Sequence, residues 1–154
     1  MTTTTTIADL PGLKGTELGT SDWYEITQEA VNTFADATGD HQWIHIDVER
    51  AKAESPFGGP IAHGFLTLSL LVPLATQTYT ITDAVMGVNY GLNKVRFPAP
   101  VPVGSRVRAT ATLANVEEVA GGVQNTLSVV IEREGGDKPV CIAEWVTRAY
   151  GQPA

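Results

Sequence analysis

Hydrophobic positions along this chain follow two different periods, and the change of period divides it into two stretches. In the first, Val31, Phe34, Ala35 and Thr38 recur at helical spacing and give one apolar face to a helix over Gln28–Thr38. Thr27 is placed to cap it, with Gln28, Glu29 and Ala30 in the first turn, and Gly39 is placed to stop it. Ser21–Ile26 reads as a short strand before this helix. Asp47–Glu54 reads as a short surface helix capped by Asp47, and Ser55–Pro60 (SPFGGP) is a turn-rich connector. His63–Thr78 is apolar on nearly every face, which predicts a buried helix that Pro73 kinks or ends.

From Ala84 onward the period becomes two. Strands are predicted near Ala84–Val95, Arg106–Val116, Val123–Arg133 and Val140–Tyr150, with turns at PAPVPVGS, EEVAGG and EGGDK. One strand, a central helix and four strands in meander spacing point to an α+β fold, an antiparallel sheet curled around a helix. An edge of such a sheet has to be paired or protected. Neither a repeat nor an interdomain linker interrupts the pattern, so one domain over 1–154 is expected, with a loosely ordered tail over 1–17. Within that tail, Thr2–Thr6 is expected to fray.

Composition narrows the function classes. At 154 residues and 43% hydrophobic, the chain can bury a core of its own. Its net charge of −7, with ten scattered Lys and Arg, argues against a nucleic-acid partner. A single cysteine, Cys141, rules out an internal disulfide framework and fits a reducing cytoplasm. The start lacks a basic n-region and an apolar h-region. The longest apolar run, Phe65–Ala75, is about half of the roughly 20 residues a membrane span needs. A cytoplasmic protein without a membrane segment is therefore expected.

The candidate chemistry lies in residues 34–64. Asp40 and His45 are an acid and an imidazole five residues apart, on backbone that Gly39 has already made irregular. On one helix they would point in different directions, so they converge only off a helix. Together they can hold a water and tune each other's pKa. The alternative is a turn aspartate and a satisfied, half-buried histidine, although Trp43 and Ile44 tend to bury the loop. His41–His45 has the outline of the helical zinc motif. Gln42 stands where that motif needs glutamate, however, and Gly39 ends the helix that would align the two histidines, so no metal is expected. Gly64 opens the apolar helix, where unpartnered N–H groups suit a carbonyl oxygen gaining negative charge; it can equally serve tight packing. His63 reads as a cap or packing residue. Lys94 and Arg96 share strand parity, as do Arg106 and Arg108, and could form a local anion site or an ordinary solvated face. Neither a nucleophile elbow nor a nucleotide-binding glycine pattern is present, so neither covalent catalysis nor a cofactor is expected.

At these residues the chain resembles the MaoC-like, (R)-specific enoyl-CoA hydratase family of hot-dog-fold proteins. The matching motif is Phe34-Ala35-x-x-Thr38-Gly39-Asp40-x-x-x-x-His45-x-Asp47, then Phe57-x-x-x-Ile61-Ala62-His63-Gly64. Val95-Arg96-Phe97-x-x-Pro100-Val101 and Val103-Gly104 complete it, and Trp43 stands where the family often has proline. The resemblance implies a homodimer of hot-dog domains that adds water to a trans-2-enoyl-CoA, reversibly and with syn geometry. It implies Asp40 and His45 as the catalytic dyad and the Gly64 N–H as the group that polarises the thioester carbonyl. Alternatives within the same fold are an acyl-carrier-protein-linked 3-hydroxyacyl dehydratase and a non-catalytic acyl-thioester-binding partner subunit. An acyl-CoA substrate carries phosphates that Lys94 and Arg96 could hold.

Overall fold

The period-two stretch folds into a sheet and the apolar run into the helix that it wraps. The computed structural model describes residues 2–153. In chain order its elements are β1 (Thr3–Thr5), a 3-10 turn at Leu10–Leu13, β2 (Glu17–Thr20), β3 (Tyr24–Glu25), α1 (Gln28–Thr38), α2 (Trp43–Ile46) and α3 (Val48–Glu54). Then follow α4 (Gly64–Ala75), β4 (Tyr79–Ile81), β5 (Met86–Arg96), β6 (Arg106–Val119), β7 (Gly122–Arg133) and β8 (Cys141–Tyr150). The main sheet runs β2-β6-β7-β8-β5, with β3 also on the outer side of β6, and every pairing in it is antiparallel. This is the α+β, hot-dog arrangement.

Alternation decides what faces the helix. Val107, Ala109, Ala111 and Leu113 of β6 are buried, as are Val123, Leu127, Val129 and Ile131 of β7. They form one core with Leu71 and Leu74 of α4 and with Ala143 and Trp145 of β8. Register shifts at Asn89/Gly91 and Leu92/Lys94 in β5, and at Leu113/Asn115 in β6, bend the sheet over the helix.

Local signals placed the helix ends correctly. The Thr27 hydroxyl accepts from the Ala30 N–H at 3.1 Å, and Gly39 takes the left-handed conformation at φ 83° while donating to the Ala35 carbonyl. The Asp47 carboxylate caps α3 through the Arg50 N–H. After Pro73, α4 lasts only to Ala75, and its final bonds tighten to i→i+3 spacing (Gln77 to Leu74, Thr78 to Ala75).

Three expectations are corrected. Thr3–Thr5 does not fray; it pairs in parallel with Tyr79–Ile81, and the Thr3 hydroxyl donates to the Leu18 carbonyl at 2.7 Å. Five identical residues carry no periodicity, so that strand had no pattern to show. Of the strand expected over Ser21–Ile26, Tyr24–Glu25 forms the ladder with β6, while Ser21 and Ile26 make single bonds to the Ala109 and Ser105 carbonyls. Finally, α4 is buried on one face alone: Phe65 is 69% exposed, and Ser69 and Pro73 are exposed below it. The apolar surface on the other face, and along the edge strand β5 at Met86, Tyr90 and Leu92, is left uncovered by this chain. Among the described residues, no helix is long and apolar enough to cross a membrane.

Candidate active site

Gly39 ends α1 and turns the chain so that Asp40 lies on irregular backbone, and a single helical turn, α2, then carries His45 inward. The first turn of α1 holds that turn in place: the Gln28 side-chain amide donates to the His45 carbonyl at 2.8 Å and to Asn32 at 3.0 Å. A second anchor comes from the segment that enters α4. The Ile61 N–H donates to the Ile44 carbonyl at 3.0 Å, and His45 Nδ1 donates back to the Ile61 carbonyl at 2.6 Å. Ile61 and Ala62 are themselves held on the strand-like segment that follows β5, by the Ile61–Pro102 bridge and the Ala62 N–H on the Val101 carbonyl at 2.8 Å.

This bonding sets the chemistry of His45. A carbonyl oxygen only accepts, so Nδ1 carries the proton and Nε2 keeps a free lone pair. Burial lowers the His45 pKa below its ordinary 6.5, against the Ile61 carbonyl, which raises it; the adjacent His63 lowers it further and Asp40 opposes. The ring is therefore a neutral base with one nitrogen free. The Asp40 side chain is exposed and loosely held; among the described residues its one backbone hydrogen bond is from the Gln42 N–H, at 3.4 Å.

The structure brings Asp40 and His45 together and adds a third group. Side-chain donor atoms of Asp40, His45 and His63 all lie within 4.8 Å of one another. His63 is 2% exposed; its ring stacks on His45 with centroids 3.9 Å apart and planes 24° from parallel. Its Nε2 donates to the Asp40 backbone carbonyl at 3.0 Å, while Nδ1 is buried with no partner. Sequence reasoning took His63 as a cap or packing residue. It makes no side-chain cap on α4, and its polar contact is to Asp40. Its place beside Gly64 was the one available signal.

Three such side chains invite a metal, but the rings do not fit one. Imidazole ligands aim in-plane lone pairs at a shared ion about 2.0–2.1 Å away. Two rings stacked at 3.9 Å cannot both do so, and one nitrogen of each already donates to a carbonyl. His41, the other half of the zinc-like pattern, turns away to bond Asp36 at 2.9 Å.

Gly64 follows His63 as the first residue of α4, and among the described residues its N–H has no hydrogen-bond partner. A Cβ there would stand 3.1 Å from the Phe97 ring, so glycine lets that ring lie over the helix start. Beneath it is an apolar cavity of about 340 Å³ lined by Ile61, Ala62, Gly64, Thr67, Phe97 and Val140, among others. Neither Asp40 nor His45 lines it; the Ile61–Gly64 segment is what the cavity and the dyad share. The buried Thr67 hydroxyl, unpartnered in that lining, went unnoticed in the sequence.

Lys94 and Arg96 are exposed together on β5, opposite Glu144 and Ile142, and Phe97 links them to the Gly64 end of the cavity. The other two cations are already occupied: Arg106 pairs with Glu134 at 3.0 Å and Arg108 with Glu132 at 2.7 Å, both over Trp23. A site of four free cations is thereby excluded. Burial pushes the Cys141 thiol up to about 11, which leaves no thiolate at neutral pH.

Comparison with known proteins decides the family. The MaoC like domain model matches residues 10–134. The chain belongs to the MaoC-like family. One curated MaoC-like relative, 3-hydroxyacyl-thioester dehydratase Z of Mycobacterium tuberculosis, is 59% identical over 149 residues, covering 96% of this chain and 98% of its own. Nodulation protein N of Rhizobium meliloti is 46% identical over 149 residues, covering 96% and 92%. Among solved structures, the (R)-hydratase from A. caviae involved in PHA biosynthesis superposes with a TM-score of 0.71 at 25% identity, covering 87% and 94%. Two of these three proteins are named as a dehydratase or a hydratase.

The direction of the His45 shift yields one prediction. Followed by NMR, the His45 ring should titrate with a midpoint below 6.5, because burial disfavours its charged form. A midpoint at or above that value would contradict the neutral-base assignment.

Proposed function

We propose that this MaoC-like chain is an (R)-specific enoyl-CoA hydratase, run in reverse as a 3-hydroxyacyl-CoA dehydratase, with Asp40 and His45 as its catalytic dyad. The observation that carries this reading is the convergence of a neutral imidazole with a loosely held carboxylate, beside the Ile61–Gly64 segment that lines an apolar cavity. The names of the Mycobacterium tuberculosis dehydratase and the A. caviae hydratase support it.

In the proposed reaction the thioester carbonyl of a trans-2-enoyl substrate accepts from the Gly64 N–H, and its acyl chain enters the cavity. Water lies between Asp40 and His45. Its oxygen adds to C3 while His45 Nε2 takes one proton; Asp40 accepts a hydrogen bond from the other and orients the attack. Electron density moves onto the carbonyl oxygen, where the Gly64 N–H and the start of α4 stabilise the enolate. The imidazolium then returns its proton to C2. Hydroxyl and hydrogen arrive from one face, which gives syn addition, and the water is fully accounted for. A neutral histidine suits this double role because it can accept and release a proton near neutral pH.

Two further proposals concern the surface. The uncovered apolar face of α4 and the edge strand β5 suit a second copy of this chain, giving a homodimer. Lys94 and Arg96, beside Phe97, suit the phosphates of CoA.

Asp40→Asn and His45→Gln should each lower kcat by roughly 10²–10⁴-fold, the usual share of general acid/base catalysis. Loss of the enoyl-thioester absorbance on hydration of crotonyl-CoA measures this. Either variant, folded and within a few-fold of the parent, would remove the dyad assignment. Light scattering at micromolar concentration should give twice the chain mass; an active monomer would rule out the dimer. Lys94→Ala or Arg96→Ala should raise KM for a CoA thioester by roughly 2–5-fold with kcat kept, the size of an exposed charge contact. With a pantetheine thioester the effect should vanish, and an equal loss of kcat on both substrates would refute a phosphate contact.

A further inference from the structure

We propose that His63 is a positioning residue for the dyad, fixing the Asp40 backbone through its Nε2–H and backing the His45 ring with its own, without exchanging a proton with substrate. This rests on the reading of Asp40 and His45 as the pair that acts on water.

The contacts of Asp40 favour the assignment. The residue lies on exposed, irregular backbone just past Gly39. Its N–H reaches the Thr38 hydroxyl only at 3.4 Å, and its carboxylate reaches the Gln42 N–H only at 3.4 Å. The bond from His63 Nε2 to its carbonyl, at 3.0 Å, is the shortest polar contact Asp40 makes among the described residues. Without it, little but chain connectivity would hold the carboxylate opposite His45.

The cost of having imidazole at position 63 points the same way. In the neutral ring a donating Nε2 leaves Nδ1 with a bare lone pair, and among the described residues that buried nitrogen has no partner. The ring stacks on His45 and meets the Phe34 ring at a centroid distance of 4.8 Å. A phenylalanine would fill this space and leave no orphaned nitrogen. Packing therefore does not call for histidine here; the N–H directed at Asp40 is what the imidazole adds. Position 63 also joins the two halves of the site. The next residue along a planar peptide is Gly64, so the bond that places the carboxylate also sets it relative to the N–H assigned to the carbonyl.

The test uses His63→Phe, which keeps an aromatic plate without the donor, and His63→Gln, whose side-chain amide can reach the same carbonyl. Each is measured alone and in the Asp40→Asn background, with crotonyl-CoA hydration and melting temperature as readouts. His63→Phe should lower kcat by roughly 10–100-fold with KM within about two-fold, the scale of a small misplacement of a reacting group. His63→Gln should restore kcat to within about five-fold of the parent. In the Asp40→Asn background, His63→Phe should cost less than about three-fold more, because its effect passes through Asp40. A His63→Phe enzyme with parental kcat, a loss confined to KM, or an undiminished loss on top of Asp40→Asn would each overturn the proposal. So would equal losses of kcat and melting temperature in the Phe and Gln variants, which would mark a packing role. If His63→Phe does not fold, His63→Leu takes its place under the same criteria. An Asp40→Asn enzyme with parental activity would instead defeat the dyad reading itself.

Discussion

The site depends on a reciprocal pair of hydrogen bonds at Ile61. Its N–H goes to the Ile44 carbonyl, and its own carbonyl receives the proton on His45 Nδ1. The first bond docks the short turn α2 against the segment that leads into α4. The second selects the His45 tautomer and fixes the ring plane. Because Ile61 also pairs with Pro102, and Ala62 with Val101, the imidazole is referenced to the segment beyond β5 and not to a surface loop. A four-residue helical turn would have little persistence alone, since nucleation costs more than one turn returns. Here tertiary hydrogen bonds supply what propagation cannot.

With that anchor in place, the electrostatics follow from burial. Burial disfavours the charged form of His45, and the His63 ring stacked on it at 3.9 Å lowers its pKa further. The carboxylate differs in kind: it is exposed, and its position comes from contacts to its backbone. In the proposed reaction, a buried neutral acceptor beside a wetter anion divides the labour between two groups, one to move a proton and one to orient water. Neither group lines the apolar cavity that Ile61, Ala62 and Gly64 help to form.

Much of this was legible in the sequence, for identifiable reasons. The strands from β5 onward follow side-chain alternation, and the ends of α1 follow from Thr27 and Gly39, because both signals are local. Asp40 and Gly64 stood out as candidates because one follows a helix stop and the other opens a helix, and His45 because an imidazole follows Asp40 at a spacing that a helix could not bring together. Residues whose roles arise from long-range pairing were not. Ile61 looks like any apolar residue until its backbone partners are known. His63 looked like packing because its one donor reaches a residue far back in the chain. Arg106 and Arg108 looked like free cations because their glutamates lie on the neighbouring strand. The exposed face of α4 was hidden by composition: an apolar helix reads as wholly buried whether its own chain or another copy covers it.

The place of β5 at the edge of the sheet has a consequence for synthesis. Among the described residues, its partner in the sheet is β8 (Cys141–Tyr150), which is translated about 45 residues later. A chain emerging from the ribosome therefore presents the Asp40–Gly64 segment, α4 and β5 before the strand that seats β5 exists. Local contacts can form early, but β5 cannot be paired until β8 has been released. For that interval the apolar surfaces of α4 and β5 are open together, so the nascent chain is most vulnerable to aggregation before β8 emerges. A chaperone that holds this protein has its best grip in that window.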